Sequence, residues 1–383
     1  MQAEYIQDQS ALDSFCQSIN HDAVLAIDTE FVRTRTLFPN LGLIQACDGN
    51  RLVLIDPVSI EDLSPFWRLL QDPSILKVIH SCSEDLEVFM HAGNCQPVNM
   101  LDTQIAMSFL GHGLSLGYAA MIQHFLGIEL DKSESRTNWM KRPLSDRQLE
   151  YAAADVSYLH QIIDQLLQEI GDAGWLQQAM QDSAQMIERK FQPVDEYNLY
   201  LDNKQAFKLN SSQLLLLQHL YAWRYRMAVK RNLPLNFIAK DHTLLTMARR
   251  KPGNVGAMAS YEGVDILDVR HQGKAMLMVI KKAMSLPPEH FPKPISRLDS
   301  YPGYKNIFKN LKTYLGRLAA RHNLDLPVVA GKKHMNQYLS WFWQLNDQDV
   351  HPEQVDLING WRGELFKDDL LKFSRQGFKL QDS

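Results

Sequence analysis

The 383-residue sequence is 45% apolar and 22% charged, with a formal net charge of −4, material enough for two or three globular domains. No apolar run is long enough to span a membrane, and the first ten residues lack the basic-then-apolar order of a secretory signal. Four cysteines without short paired spacing (Cys16, Cys47, Cys82, Cys95) suggest neither a zinc site nor a disulfide frame; they read as reduced thiols of a cytoplasmic protein.

In chain order, the spacing of Leu12, Phe15, Cys16 and Ile19 predicts a short helix over 10–20. Residues 24–31 read as a buried strand that carries two carboxylates. Alternate residues of a strand share a face, so Asp28 and Glu30 project together and Thr29 projects away from them. Two like charges at the end of an apolar strand resist desolvation. A divalent cation relieves this, because hard cations take carboxylate oxygens; two solvated acids at a strand end are the plainer alternative. Strands over 43–46 and 52–55 flank the turn Asp48-Gly49-Asn50. There follow a helix over 63–70, a strand over 75–79 ending at His80, a helix over 84–91 capped by Ser83, a strand over 98–101 and a helix opened by Asp102. Residues 116–126 read as helical and 133–142 as a polar loop. Ser145, with Gln148 three residues on, is a capping-box signature for a long helix reaching about Ile170. Strands followed by alternating helices and strands predict a three-layer mixed α/β domain over residues 1–190.

The remainder reads as helical. A helix capped by Ser212 carries Leu214, Leu217, Tyr221, Tyr225 and Ala228 on one stripe. Arg226 and Lys230 lie opposite it, Arg224 and Arg231 flank it, and Pro234 ends the helix. Shorter helices are expected around 241–249, 254–259 and 266–284. Pro287, Pro288, Pro292 and Pro294 mark a linker, and residues 297–375 repeat the pattern of short helices. The expected all-α units span 204–290 and 295–378. Charge divides along the chain in the same way. Residues 1–190 hold 12 Lys and Arg against 26 Asp and Glu, a net of −14, whereas residues 204–282 hold 14 against 4, a net of +10. The basic segment suits a polyanionic partner and the acidic one suits metal ions, although two domains of differing surface charge account for the same counts.

Four acids stand at element ends or on the long helix: Asp28, Glu30, Asp85 and Asp155. Tyr151 precedes Asp155 by four residues, which puts phenol and carboxylate on one helix face, with only Ala152-Ala153-Ala154 between them. Asp28-Thr29-Glu30 after an apolar strand, His80-Ser81-Cys82-Ser83-Glu84-Asp85-Leu86, and Tyr151 to Asp155, in that order, resemble the three motifs of the DEDDy branch of the 3′–5′ exonuclease superfamily. Arg136-Thr137-Asn138-Trp139, Arg142-Pro143-Leu144 and Asp102-Thr103-Gln104 are similar to the ribonuclease D family within that branch. Trp223-Arg224-Tyr225-Arg226, with Asn232-Leu233-Pro234 and Asn236-Phe237-Ile238, resembles a helicase-and-ribonuclease-D C-terminal (HRDC) domain. Residues 297–375, with Gly360-Trp361-Arg362, resemble a second and more divergent one.

The resemblance implies an α/β fold: a ribonuclease-H-like mixed-sheet exonuclease domain followed by two all-α HRDC-type domains. It implies hydrolysis of phosphodiesters from RNA 3′ ends to release nucleoside 5′-monophosphates, with tRNA precursors and other structured RNAs as substrates. It also implies two divalent ions, Mg2+ or Mn2+. Asp28 would bridge them, Glu30 and Asp155 would help hold the nucleophile-side ion, and Asp85 would support the other. Tyr151 would orient the attacking water; a phenol of ordinary pKa, about 10, is a poor base at neutral pH, so a hydrogen-bonding role fits better than proton abstraction. Trp139 and Arg142 are candidates for RNA stacking and phosphate contact, with loop anchoring as the alternative. Arg224, Arg226, Arg249, Arg250 and Lys251, with Lys281 and Lys282, are candidates for phosphate positioning. His80 reads as a packed histidine, Asp102 as a helix cap rather than a fifth ligand, and Trp223 and Tyr225 as core. A DNA exonuclease shares the same acids, and a non-catalytic RNA-binding scaffold shares the fold; the presence of all four acids speaks against the scaffold. No Gly-x-x-x-x-Gly-Lys loop is present, so the chain is not itself a nucleotide-driven motor. Neither a membrane nor an obligate protein partner is indicated.

Overall fold

A computed structural model describes residues 2–131, 133–345 and 352–380. Of the expected units, 1–190 includes Met1 and Lys132, and 295–378 includes 346–351, all of which lie outside the described residues. Six strands form one sheet: β1 (Glu4–Ile6), β2 (Val24–Val32), β3 (Asn40–Cys47), β4 (Leu52–Ile55), β5 (Leu76–Ile79) and β6 (Met100–Asp102), in the order β1-β4-β3-β2-β5-β6. β2, β3 and β4 are antiparallel, β3 and β4 as the turn between them predicts. β5 lies parallel to β2, β6 parallel to β5, and β1 parallel to β4. β1 is three residues long, too short to show a period, and the sequence patterns do not reveal it.

The sheet separates two apolar cores. Leu25, Ile27, Ile44, Val53 and Ile55 pack on one face against α1 (Gln9–Ser18), α2 (Ser64–Gln71) and α3 (Asp85–Gly93). Ala26, Leu43, Leu54 and Val78 pack on the other against α4 (Thr103–Phe109), α5 (Tyr118–Leu126) and the long α6 (Asp146–Asp172). A one-residue slip of β2 would exchange these faces, so the cores determine where its carboxylates point. The capping box of α6 forms as expected between Ser145 and Gln148. The start of α3 does not: Ser83 makes no cap, and Glu84 holds the N-cap position without a side-chain bond. Asp102 acts there instead. Its two carboxylate oxygens accept from Ser81 N and Cys82 N, each at 2.9 Å, and one also caps α4 through Gln104 N at 2.8 Å. A further helix, α7 (Leu176–Phe191), continues the domain and has no counterpart among the elements expected from sequence.

The basic segment folds as α8 (Ser211–Arg231), α9 (Leu235–Ile238), α10 (Asp241–Arg250), α11 (Val255–Ala259) and α12 (Ile266–Met284) around its own core. α8 is capped by Asn210 in a box with Gln213, not by Ser212. It ends at Asn232, in the left-handed region at φ 47°, and Pro234 opens α9. The last block comprises α13 (Tyr304–Arg321), α14 (Leu326–Val329), α15 (Lys332–Phe342) and α16 (Gly360–Arg375), and its apolar core is continuous with the one beneath α6. At the junction Trp361 packs on Phe109 and Trp175, and Arg362 forks onto Asp182 of α7 at 2.7 and 2.9 Å. No described helix is long and apolar enough to cross a membrane, and the four cysteines are free thiols.

Candidate active site

Asp28 and Glu30 leave the same face of β2, and Asp155 meets them from α6. One carboxylate oxygen of each lies within 4.8 Å of the others. The i, i+2 and i, i+4 spacings set Asp28 beside Glu30 and Tyr151 beside Asp155; that the two pairs meet is what the family resemblance implies. Asp85 stands differently. It opens α3 on the opposite side of the sheet, and the Thr29 hydroxyl donates to its Oδ1. Thr29 does point away from Asp28 and Glu30, and what it points at is the fourth acid. The site therefore straddles the strand, three carboxylates above and one held below.

Crowding and burial raise the carboxyl groups. Burial, then the charges of Asp155 and Asp85, push Glu30 up to about 9. Burial lifts Asp155 to about 7 against the opposing hydrogen bond of Tyr151, and lifts Asp85 to about 7 against that of Thr29. Asp28 rises well above its ordinary value through burial and then the charges of Asp85, Asp155 and Glu30. Such a cluster is unfavourable to leave ionised on its own. It is an all-oxygen donor set suited to a hard divalent cation, whose charge offsets the burial, and at Asp28 and Glu30 the repulsion, that raise these groups. Tyr151 is half-buried beside Asp155. Burial and then the neighbouring carboxylates push its phenol well up, so it stays protonated as a hydrogen-bond donor.

Asp28, Tyr151 and Asp155 border a cavity of about 190 Å³ walled by Ile27, His80, Tyr118, Ala119, Leu130 and Leu159, with Asp131 and Ser135 at its polar side. A second cleft of about 480 Å³ shares Tyr151 and Asp155 and reaches Glu134, Arg147 and Glu150. Ala154 faces this cleft, whereas Ala152 is buried in the core, so only part of the alanine run opens space. His80 is packed as expected, with Nδ1 2.9 Å from Thr103 Oγ1 and Nε2 3.0 Å from Leu116 O.

Three candidate RNA contacts are relocated. Trp139 is 1% exposed, packed on Gly42 and near the Tyr151 ring, and cannot stack on a base. Arg142 anchors the loop. Its Nε donates to Asp56 Oδ2 at 2.8 Å, while Nη2 reaches Gly42 O at 2.7 Å and Nη1 reaches Trp139 O at 2.8 Å. Arg224 is 4% exposed, lies over the Tyr221 ring and pairs with Asp241 at 2.8 Å. Helical position alone put it on a flank, but the packing of α10 against α8 covers that flank. Arg226 is exposed and pairs with Glu196 at 2.8 Å. Arg249 and Arg250 are exposed at the end of α10, as are Lys281 and Lys282 at the end of α12, while Lys251 is partly covered and bonds Ser212 Oγ at 2.7 Å. Trp223 is core, and Tyr225 is half-buried. The roles of Thr29 and Asp56 escape sequence reasoning, because each acts through a residue far away in the chain.

A family model described as "3'-5' exonuclease" matches residues 3–171, "HRDC domain" matches 213–280, and "Ribonuclease D, C-terminal HRDC domain" matches 302–370. Ribonuclease D of Escherichia coli K12 is 41% identical over 370 residues, covering 97% of this chain and 98% of the relative. Ribonuclease D of Cronobacter turicensis is 40% identical over 360 residues, covering 94% and 96%. The crystal structure of the Escherichia coli enzyme, described as an exoribonuclease involved in structured RNA processing, superposes with a TM-score of 0.93 at 41% identity over 98% of this chain and 99% of that one. The catalytic core of RRP6 from Trypanosoma brucei shares the fold at 21% identity, with a TM-score of 0.55 over 74% of this chain and 81% of that one.

Proposed function

Since the chain belongs to the ribonuclease D family and is thereby a 3′–5′ exoribonuclease, we propose that Asp28, Glu30, Asp85, Asp155 and Tyr151 form its active site, with RNA 3′ ends entering the clefts beside α6. The family fold uses divalent metal, and the finer assignment is two ions, Mg2+ or Mn2+. The observation that supports it is the convergence of three carboxylates from two elements beside a protonated phenol. Asp28, Glu30 and Asp155 would hold the cations directly, and Asp85, fixed by Thr29, would complete the set from below. When bound, divalent metal supplies Lewis-acid stabilisation of the attacking and leaving oxygens and acidifies water.

The protein's own groups do the rest. Tyr151 donates its phenolic hydrogen bond and so orients the attacking water rather than deprotonating it. The apolar walls of the smaller cavity seat the terminal nucleotide and exclude bulk water. Arg226, Arg249, Arg250 and Lys251, with Lys281 and Lys282, supply phosphate-positioning charge on the helical unit. The substrates are structured RNA 3′ ends, tRNA precursors among them; the compartment is the cytoplasm; and the working units are 1–190, 204–290 and 295–378. The test uses 3′-labelled RNA and a matched DNA with Mg2+. Release of nucleoside 5′-monophosphate from RNA by the wild type, but not by Asp155→Asn, is expected. Full activity of that variant would refute the site, and preference for DNA would refute the substrate.

A further inference from the structure

β3 is apolar along its buried length except at Gln45. That side chain is fully buried, and neither its Oε1 nor its Nε2 has a hydrogen-bond partner. Among the described residues it is the one side chain with both a donor and an acceptor buried and unmatched. A buried amide normally finds partners, because losing water without replacement is costly. A leucine or methionine would fill the same space without that cost, so the amide calls for an explanation beyond packing.

Its position supplies one. Backbone register places Gln45 directly opposite Asp28 on β2 and opposite Leu54 on β4. Directly paired residues of antiparallel strands share a face, with Cβ atoms about 5 Å apart. Leu54 belongs to the core beneath α6, so Gln45 lies on the face from which Asp28 and Glu30 meet Asp155. An amide is the right length and chemistry to support a carboxylate one strand away. Groups that hydrogen-bond a metal-binding side chain from outside fix its rotamer and tune its affinity.

Resting on the site proposed above, we infer that Gln45 is a positioning residue for Asp28, its Nε2–H donating to the Asp28 carboxylate once the site is charged with divalent metal. Trp139 Nε1 is a second unmatched donor on the same core, but no register ties it to an acid.

The test uses the full chain with glutamine side chains labelled with 15N, the Gln45 amide being assigned from its loss in Gln45→Met. Calorimetric titration with Mg2+ and Mn2+ first establishes binding by the wild type. The Gln45 amide resonance is then expected to shift with Mg2+ occupancy. Gln45→Met should bind Mn2+ about 10-fold more weakly, within the range seen when outer hydrogen-bonding partners of metal ligands are removed. Its kcat should fall by a similar factor with KM for RNA unchanged, and its metal-free melting temperature should not fall. A Gln45 amide that ignores Mg2+ while the wild type binds it would overturn the inference and leave the site intact. Absence of metal binding by the wild type would overturn both. If Gln45→Met fails to fold, through-space couplings of the Gln45 amide to Asp28 and Leu54 protons across the strand register supply the assignment, and the resonance still decides the matter.

Discussion

Burial, reinforced at Asp28 and Glu30 by the neighbouring acids, makes the carboxyls of Asp28, Glu30 and Asp155 costly to ionise before any cation compensates them. Relieving one charge should stabilise the metal-free fold while removing function, the usual trade at such sites. Asp155→Asn should therefore raise the metal-free melting temperature by roughly 2–4 °C, equivalent to about 1 kcal/mol in a unit of this size, and abolish metal-dependent hydrolysis. A lower melting temperature would show that the carboxylate supports the fold instead. Tyr151→Phe keeps the ring that packs near Trp139 and loses only the hydroxyl. Its kcat should fall about 100-fold, a loss typical of a mispositioned reactant, with RNA KM little changed. The strand period pairs Asp28 with Glu30 and the helix period pairs Tyr151 with Asp155, but that the two pairs meet was legible only from the ordered motifs of the family they resemble. The Thr29–Asp85 bond and the orphaned amide of Gln45 were not legible, since each depends on a partner across the sheet.

Among the elements, β2 and α6 share the positioning, and the loop before α6 is tied down more firmly than its polar composition suggests. Asp56 is fully buried and receives the Arg142 fork, the Tyr5 hydroxyl at 2.7 Å, the Ser59 hydroxyl and the Val58 N–H. Burial opposes its ionisation, but these hydrogen bonds, Arg142 first, hold its carboxyl well below the ordinary range. Asp56→Ala should destabilise the protein by about 3 kcal/mol, the low end of the cost of breaking a buried ion pair because Arg142 keeps some contact with water, as measured by urea unfolding at pH 7. The pH dependence follows from the direction of the shift. A depressed folded pKa contributes stability that is full above the unfolded value of about 3.9 and lost as pH falls from there toward the folded one. If Asp56→Asn folds, that acid-sensitive component should disappear from its unfolding curve. Loop anchoring is one of the two readings the sequence offers for Arg142, but its partner is hidden, because a polar stretch of Arg, Asn and Ser reads alike whether it faces water or an aspartate 86 residues away.

Across the whole molecule, the charge split and the proline-rich linker suggest three blocks in the sequence, but the packing between elements far apart in the chain is not legible there. α7 went unassigned, and it is the platform on which Trp361 and Arg362 seat the last block. The basic helical unit makes its own contact with the catalytic domain. Asn232 Oδ1 accepts from Leu37 N and Phe38 N at 3.1 and 3.0 Å, clasping the loop that follows the Asp28–Glu30 strand. Glycine adopts the left-handed conformation of Asn232 freely, so Asn232→Gly should preserve α8 and release only the clasp. Hydrogen exchange at Leu37 and Phe38 should accelerate while the rest of the unit keeps its protection; unchanged exchange there would deny the clasp a role. RNA affinity should fall steeply between 50 and 200 mM salt if several phosphates are neutralised. A flat response would remove the basic surface from substrate binding.

In the proposed site Asp28, Glu30, Asp85 and Asp155 together hold the divalent metal. Anomalous diffraction from crystals grown with Mn2+ tests it most directly. Two peaks against Asp28, one shared with Glu30 and Asp155 and the other on the Asp85 side, are expected, and both should vanish in Asp28→Asn. Peaks elsewhere, or peaks that persist in that variant, would contradict the account.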